Sequence, residues 1–141
     1  MRPALTSIFV FLFVLPLSGQ TGSAHAVPIL LDAAIPKYPP IARAARIAGK
    51  VVVRVTVEQG LVVKTDVLPK PNVSSGQRVL ETPTVENLKT WRFAPKVKCA
   101  FTVTYTYEIS GTETYDLTNA KIEMLPSLDV NITERPIKPM Y

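Results

Sequence analysis

Histidine is almost absent from this 141-residue chain. The one example, His25, lies just behind an apolar N-terminal run. A Ser-His-Asp arrangement, a Cys-His dyad and a histidine metal site therefore have nothing to build on in the rest of the chain. Acidic residues are scattered, without a DxD or ExxH cluster, and no phosphate-binding glycine loop is present. Ser74-Ser75-Gly76 has the outline of a nucleophile loop, but no general base accompanies it, and it reads as a turn into a helix. No catalytic residue, metal ligand set or cofactor site is assigned, and the chain reads as a non-enzyme.

Cysteine is just as scarce. Cys99 stands alone, so no disulfide framework supports the fold and a hydrophobic core must do so. A domain of roughly 115 residues buries about two-thirds of its unfolded surface, which is enough. Cys99 reads as a small residue at a strand start. An intermolecular disulfide and lipid attachment are its weaker alternatives. Lys/Arg runs are missing as well: the net charge of +5 is dispersed, which excludes nucleic acid as a partner.

What the chain does contain starts with a leader. Ala4 to Leu17 is almost wholly apolar, Arg2 precedes it, and Ser23-Ala24-His25-Ala26 supplies small residues for cleavage. Residues 1–26 therefore read as a secretory signal peptide. An uncleaved inner-membrane anchor is less favoured, because the run falls short of the roughly 20 apolar residues a spanning helix needs. The leader holds one basic and no acidic residue, so the exported chain stays mildly basic. Residues 27–35 read as a short tether.

The stretch from Tyr38 to Glu58 organises the exported chain. Pro40 suits a first helical turn, and Ile41, Ala44, Ala45 and Ala48 fall on one stripe, with Arg43 and Arg46 left as a solvated face. Gly49 is expected to end this helix. Val51, Val53, Val55 and Val57 then alternate with Lys50, Arg54, Thr56 and Glu58, the period-two pattern of a half-buried antiparallel strand. Gln59-Gly60 predicts a hairpin turn into a second strand, Leu61 to Leu68. A proline-stiffened loop comes next.

A second helix is expected between Arg78 and Lys89. Pro83 either kinks it or, the preferred reading, sits in its first turn behind Thr82 as N-cap. Trp91 and Phe93 bracket Arg92 and point together into the core. The third strand, Ala100 to Ser110, alternates most cleanly. Phe101, Val103, Tyr105, Tyr107 and Ile109 face one way, and Thr102, Thr104, Thr106, Glu108 and Ser110 the other. The aromatic stripe reads as core packing. Beyond Ser110 the pattern weakens; Lys121 to Leu125 and Leu128 to Thr133 are short-strand candidates, and Pro136 and Pro139 close the chain in extended form.

The fold class is thus α+β: a three-stranded antiparallel sheet with two helices on one face, in the order helix-strand-strand-helix-strand. A C-terminal extension, 111–141, is able to add a strand. This order resembles the C-terminal domain of TonB-type energy transducers. So do particular residues: Tyr38-Pro39 before a small-residue helix, Gly49, the hairpin at Gly60, Ser74-Ser75-Gly76, Leu80, and Trp91-Arg92-Phe93-Ala94-Pro95. The similarity covers residues 36–110. Two features depart from it: a longer loop before Ser74, and a lead-in of about ten residues where a complete transducer has an anchor and a long proline-rich spacer.

The resemblance implies a periplasmic protein-binding domain contacting an outer-membrane receptor segment, in transport across the outer membrane. In that family a partner segment adds to the last strand of the sheet, which here places the binding edge at Thr102, Thr104, Thr106, Glu108 and Ser110. The alternative is a structural or self-associating envelope module without an energy-transducing role. In it, Leu128 to Thr133 covers that edge in its own chain or swaps to a second copy and makes a homodimer. An unrelated carrier or inhibitor would instead show a ligand-sized apolar pocket between helix and sheet.

Overall fold

The computed structural model describes residues 27–117 and 120–138. The expected signal peptide, with His25, and Pro139 lie outside the described residues. The alternating valines form β2, Gly49–Glu58, and the returning strand is β3, Leu61–Val67. Gln59 and Gly60 both take positive φ, 51° and 75°, which is the two-residue hairpin turn matched to strand twist. Gly60 is required there: a Cβ would stand 2.4 Å from the Phe93 carbonyl oxygen.

The remaining strands are β1, Leu30–Asp32; β4, Arg92–Phe93; β5, Cys99–Ile109; β6, Lys121–Met124; and β7, Val130–Glu134. They join one sheet in the order β1-β4-β3-β2-β5-β7-β6. The class is α+β as expected, but the sheet is larger and mixed: seven strands, not three, with β5 and β7 parallel. Of the four added strands, β4 lies within the family-like stretch, and β1, β6 and β7 lie outside it. The lead-in pairs through Leu30 with Phe93, so it is docked rather than a free tether, and the extension contributes two strands.

Helix α1 is only Pro40–Ala44. It closes before Gly49, in a Schellman motif whose left-handed residue is Arg46 (φ 53°). Ile47 N–H bonds the Ala42 carbonyl at 2.8 Å and Arg46 N–H the Arg43 carbonyl at 3.2 Å. Gly49 therefore opens β2 and does not end the helix. Nor does the expected alanine stripe face inward: Ala42 and Arg43 are buried, while Ile41 is 67% exposed.

A 3-10 helix, Ser75–Leu80, capped by the Ser74 side chain, leads into α2, Glu81–Leu88. Pro83 lies in the first turn as preferred, but Leu80, not Thr82, is the N-cap. A 3-10 turn running directly into the helix leaves no extended residue for Thr82 to be.

Both helices cover one face of the sheet. The core joins Val51, Val53, Val55 and Val57 to Leu80, Leu88, Trp91, Phe93, Val103, Tyr105 and Tyr107. Polar groups inside it are satisfied. Asn87 Oδ1 accepts from Tyr105 Oη at 2.6 Å and Trp91 Nε1 at 3.3 Å, and its amide donates to the Ala34 carbonyl. The Thr84 and Tyr107 hydroxyls are 2.8 Å apart. The opposite face is polar, carrying Arg54, Thr56, Thr102, Thr104, Thr106 and Glu108.

Candidate partner-binding strand

Strand β5 is long because every second residue from Phe101 to Ile109 is large and apolar or aromatic, and the residues between are mostly threonine, which fits a pleated, half-buried surface. Its inner flank pairs antiparallel with β2 over the whole valine strand, from Gly49↔Tyr107 to Val57↔Cys99. Backbone groups in such a ladder alternate sides. The N–H groups of Thr104 and Ser110 meet partners on the outer flank, so the outward set is Thr102, Thr104, Thr106, Glu108 and Ser110. These are the residues expected to carry partner binding, and they share that orientation.

The outer flank is not wholly free. β7 lies along it in parallel register, Tyr105↔Val130 to Ile109↔Glu134. Thr104 N–H donates to Asp129 Oδ1 at 2.7 Å, and Ser110 N–H to the Glu134 carbonyl at 2.8 Å. Of the expected edge residues, only Thr102 lies beyond this cover. From Cys99 to Val103 no strand stands on the outer side of β5 among the described residues. The cause lies in the pattern of the extension: Val130 and Ile132 continue the core face beside Tyr105 and Tyr107 and are fully buried.

The cover is clasped from above by α1. Arg43 is 2% exposed, not solvated as its helical position suggested. Its guanidinium sits 3.1 Å from Glu134 Oε2, donates through Nε to the Arg135 carbonyl at 3.0 Å, and through Nη2 to the Asp116 carbonyl at 3.1 Å. All three partners belong to the extension. Arg46 pairs with Glu113 nearer the surface. Burial pushes the Glu134 carboxyl above its ordinary range, and the Arg43 charge only partly offsets this. The pair is therefore costly to bury and costly to break.

Beneath the clasp the aromatic residues are tightly placed. Tyr38 meets Tyr107 edge to face at 5.1 Å and donates its hydroxyl to the Ile47 carbonyl. Burial pushes the Tyr107 hydroxyl up to about 12, and the Thr84 hydrogen bond lowers it somewhat. Burial also raises Tyr38 and Tyr105. Cys99 is half-buried and unpaired at the start of β5, with its thiol pushed up by burial, away from the thiolate form.

The family-like positions build the scaffold behind this strand. Trp91, Phe93, Leu80 and Tyr38 are core; Gly60 makes the hairpin; Gly76 lies against Ile47; Pro95 sits in the turn before β5, which Val97 N–H closes on the Ala94 carbonyl. Arg43 and Asp129 carry no mark in the sequence as members of this site, and Glu134 carries a single one. It occupies the inward-facing position after Val130 and Ile132, where a charge demands a buried partner.

No group of three or more His, Cys, Asp or Glu side chains able to hold a metal exists among the described residues. No helix among them is long and apolar enough to cross a membrane. A protein-family model described as Gram-negative bacterial TonB protein C-terminal matches residues 34–110. The chain matches no curated protein sequence.

Proposed function

The chain belongs to the TonB C-terminal family, and on that premise we propose that it is a non-enzymatic periplasmic protein-binding module whose binding edge is held by its own tail. A partner in extended form, such as an outer-membrane receptor segment, adds to β5. Its backbone supplies the affinity. The observation that carries this reading is the position of β7, which occupies the outer flank of β5 from Tyr105 to Ile109 and leaves the stretch from Cys99 to Val103 without a strand beside it. The short open stretch gives an incoming strand a first foothold at Ala100 and Thr102, and displacement of β7 then extends the pairing.

The second reading is a self-associating module in which β6 and β7 leave their own β5 for that of a second copy. It uses the same pairing with another chain.

Deleting residues 112–141 separates the two. Peptide binding that rises on deletion, measured by calorimetry with receptor N-terminal segments, supports the covered edge. Loss of a dimer in sedimentation supports the swap. No change in either discards both. Prolines at Thr102 and Thr106, which remove outward N–H groups, should abolish peptide binding to the truncated chain; binding that survives them overturns strand addition.

A further inference from the structure

The extension widens the sheet by two strands, but the helix layer stays two helices wide. A cavity of about 790 Å³ results on the core side, between α1, the start of α2 and the added strands. Its walls are mainly apolar, with Pro36, Pro40, Val79, Pro83, Leu117 and Ile122 among them. Its size is that of small-molecule sites, roughly 300–1,000 Å³.

Three charged side chains line it: Lys37, Arg43 and Glu134. The last two neutralise each other at 3.1 Å. Lys37 has no ion-pair partner among the described residues, so the lining carries one uncompensated positive charge. We infer that this cavity is a binding site for a single-chain amphiphile with one anionic head, a long-chain carboxylate, whose apolar body lies between the proline walls and whose head meets Lys37.

The site has a second property. Leu117, Ile122 and Glu134 come from the extension, and the remaining lining is mostly from the family-like body. A complete pocket exists only while the extension is docked. A ligand that fills it binds the docked form alone and holds β7 on β5 by mass action. The coupling is reciprocal: an occupant of β5 that displaces the tail weakens the amphiphile by the same factor.

The test is calorimetric titration of the exported chain with laurate below its micelle concentration, beside neutral lauryl alcohol and cationic dodecylammonium. Laurate should bind saturably and best. Lys37→Gln should weaken laurate about two- to fivefold, the range an exposed ion pair gives, and leave the alcohol unchanged. Leu117→Asp, at a position already 60% exposed and so safe for folding, should abolish binding of both. Laurate should also slow amide exchange at Val130–Glu134. No saturable binding of laurate, equal or tighter binding of the cation, or full binding by a folded Leu117→Asp chain would each overturn the inference.

Discussion

The two flanks of β5 are built differently. On the inner side, β2 pairs antiparallel with it from Cys99 to Tyr107, above a core of valines, Trp91 and Phe93. On the outer side, β7 pairs in parallel over about half the length and depends on side-chain clamps, Asp129 at one end and the Arg43–Glu134 pair at the other. Parallel pairing is slightly weaker per residue, and a buried ion pair gives little net stability while making rupture costly. The inner flank is thus the fold and the outer flank a removable cover with a latch.

The largest effect tests whether the inner flank is the fold. Trp91 is fully buried, with its ring 6.3 Å from Phe93 and 6.4 Å from Tyr105. Trp91→Ala should cost about 3–5 kcal/mol, read by denaturant unfolding, and both flanks should melt together. Arg43→Ala leaves the Glu134 carboxylate buried without its ion, at a similar cost of about 3–5 kcal/mol. Here the loss should fall on the cover: exchange at Val130–Glu134 should accelerate while Val51–Val57 stays protected. Replacing both partners, Arg43→Met with Glu134→Leu, should recover most of that loss. It should not recover all, because the carbonyls of Arg135 and Asp116 lose this donor.

Asp129→Ala removes the acceptor for the Thr104 N–H and should cost about 1–2 kcal/mol, again confined to the outer flank. The smallest effect concerns pH. The Tyr107 hydroxyl is raised from 10 to about 12 in the native state. Because the native pKa lies above the unfolded one, its contribution is fully present below pH 10 and is lost as pH rises toward about 12. Tyr107→Phe should cost about 1 kcal/mol at neutral pH and flatten the alkaline loss of stability. An unchanged alkaline slope would count against a buried, protonated Tyr107.

The same division explains how much was legible in the sequence. The valine alternation, the Gln59-Gly60 hairpin, the aromatic stripe of β5 and the motif residues from Tyr38 to Pro95 each obey a local period or turn rule, so the body could be read. The strands of the extension could be placed, since Val130 and Ile132 alternate, and the β5 edge could be named as a seat for the second of them, but not whether it is taken within one chain. Whether they pair, swap or stay apart is decided by contacts far along the chain. α1 failed for a related reason. Its inward face is set by Arg43 reaching Glu134, so a charged residue is buried and Ile41 exposed, against the helical pattern. The lead-in was short of any period, and its place beside β4 rests on a few bonds such as Asn87 to the Ala34 carbonyl.

The two sides of one strand differ in stability, and native-state hydrogen exchange of β5 reads both at once. The outward N–H groups of Thr106, Glu108 and Ser110 should exchange through an opening well below global unfolding. Those of Val103, Tyr105 and Tyr107, facing β2, should exchange only with it. Arg43→Ala should widen that gap. Equal protection on both sides, unchanged by Arg43→Ala, would contradict the removable cover.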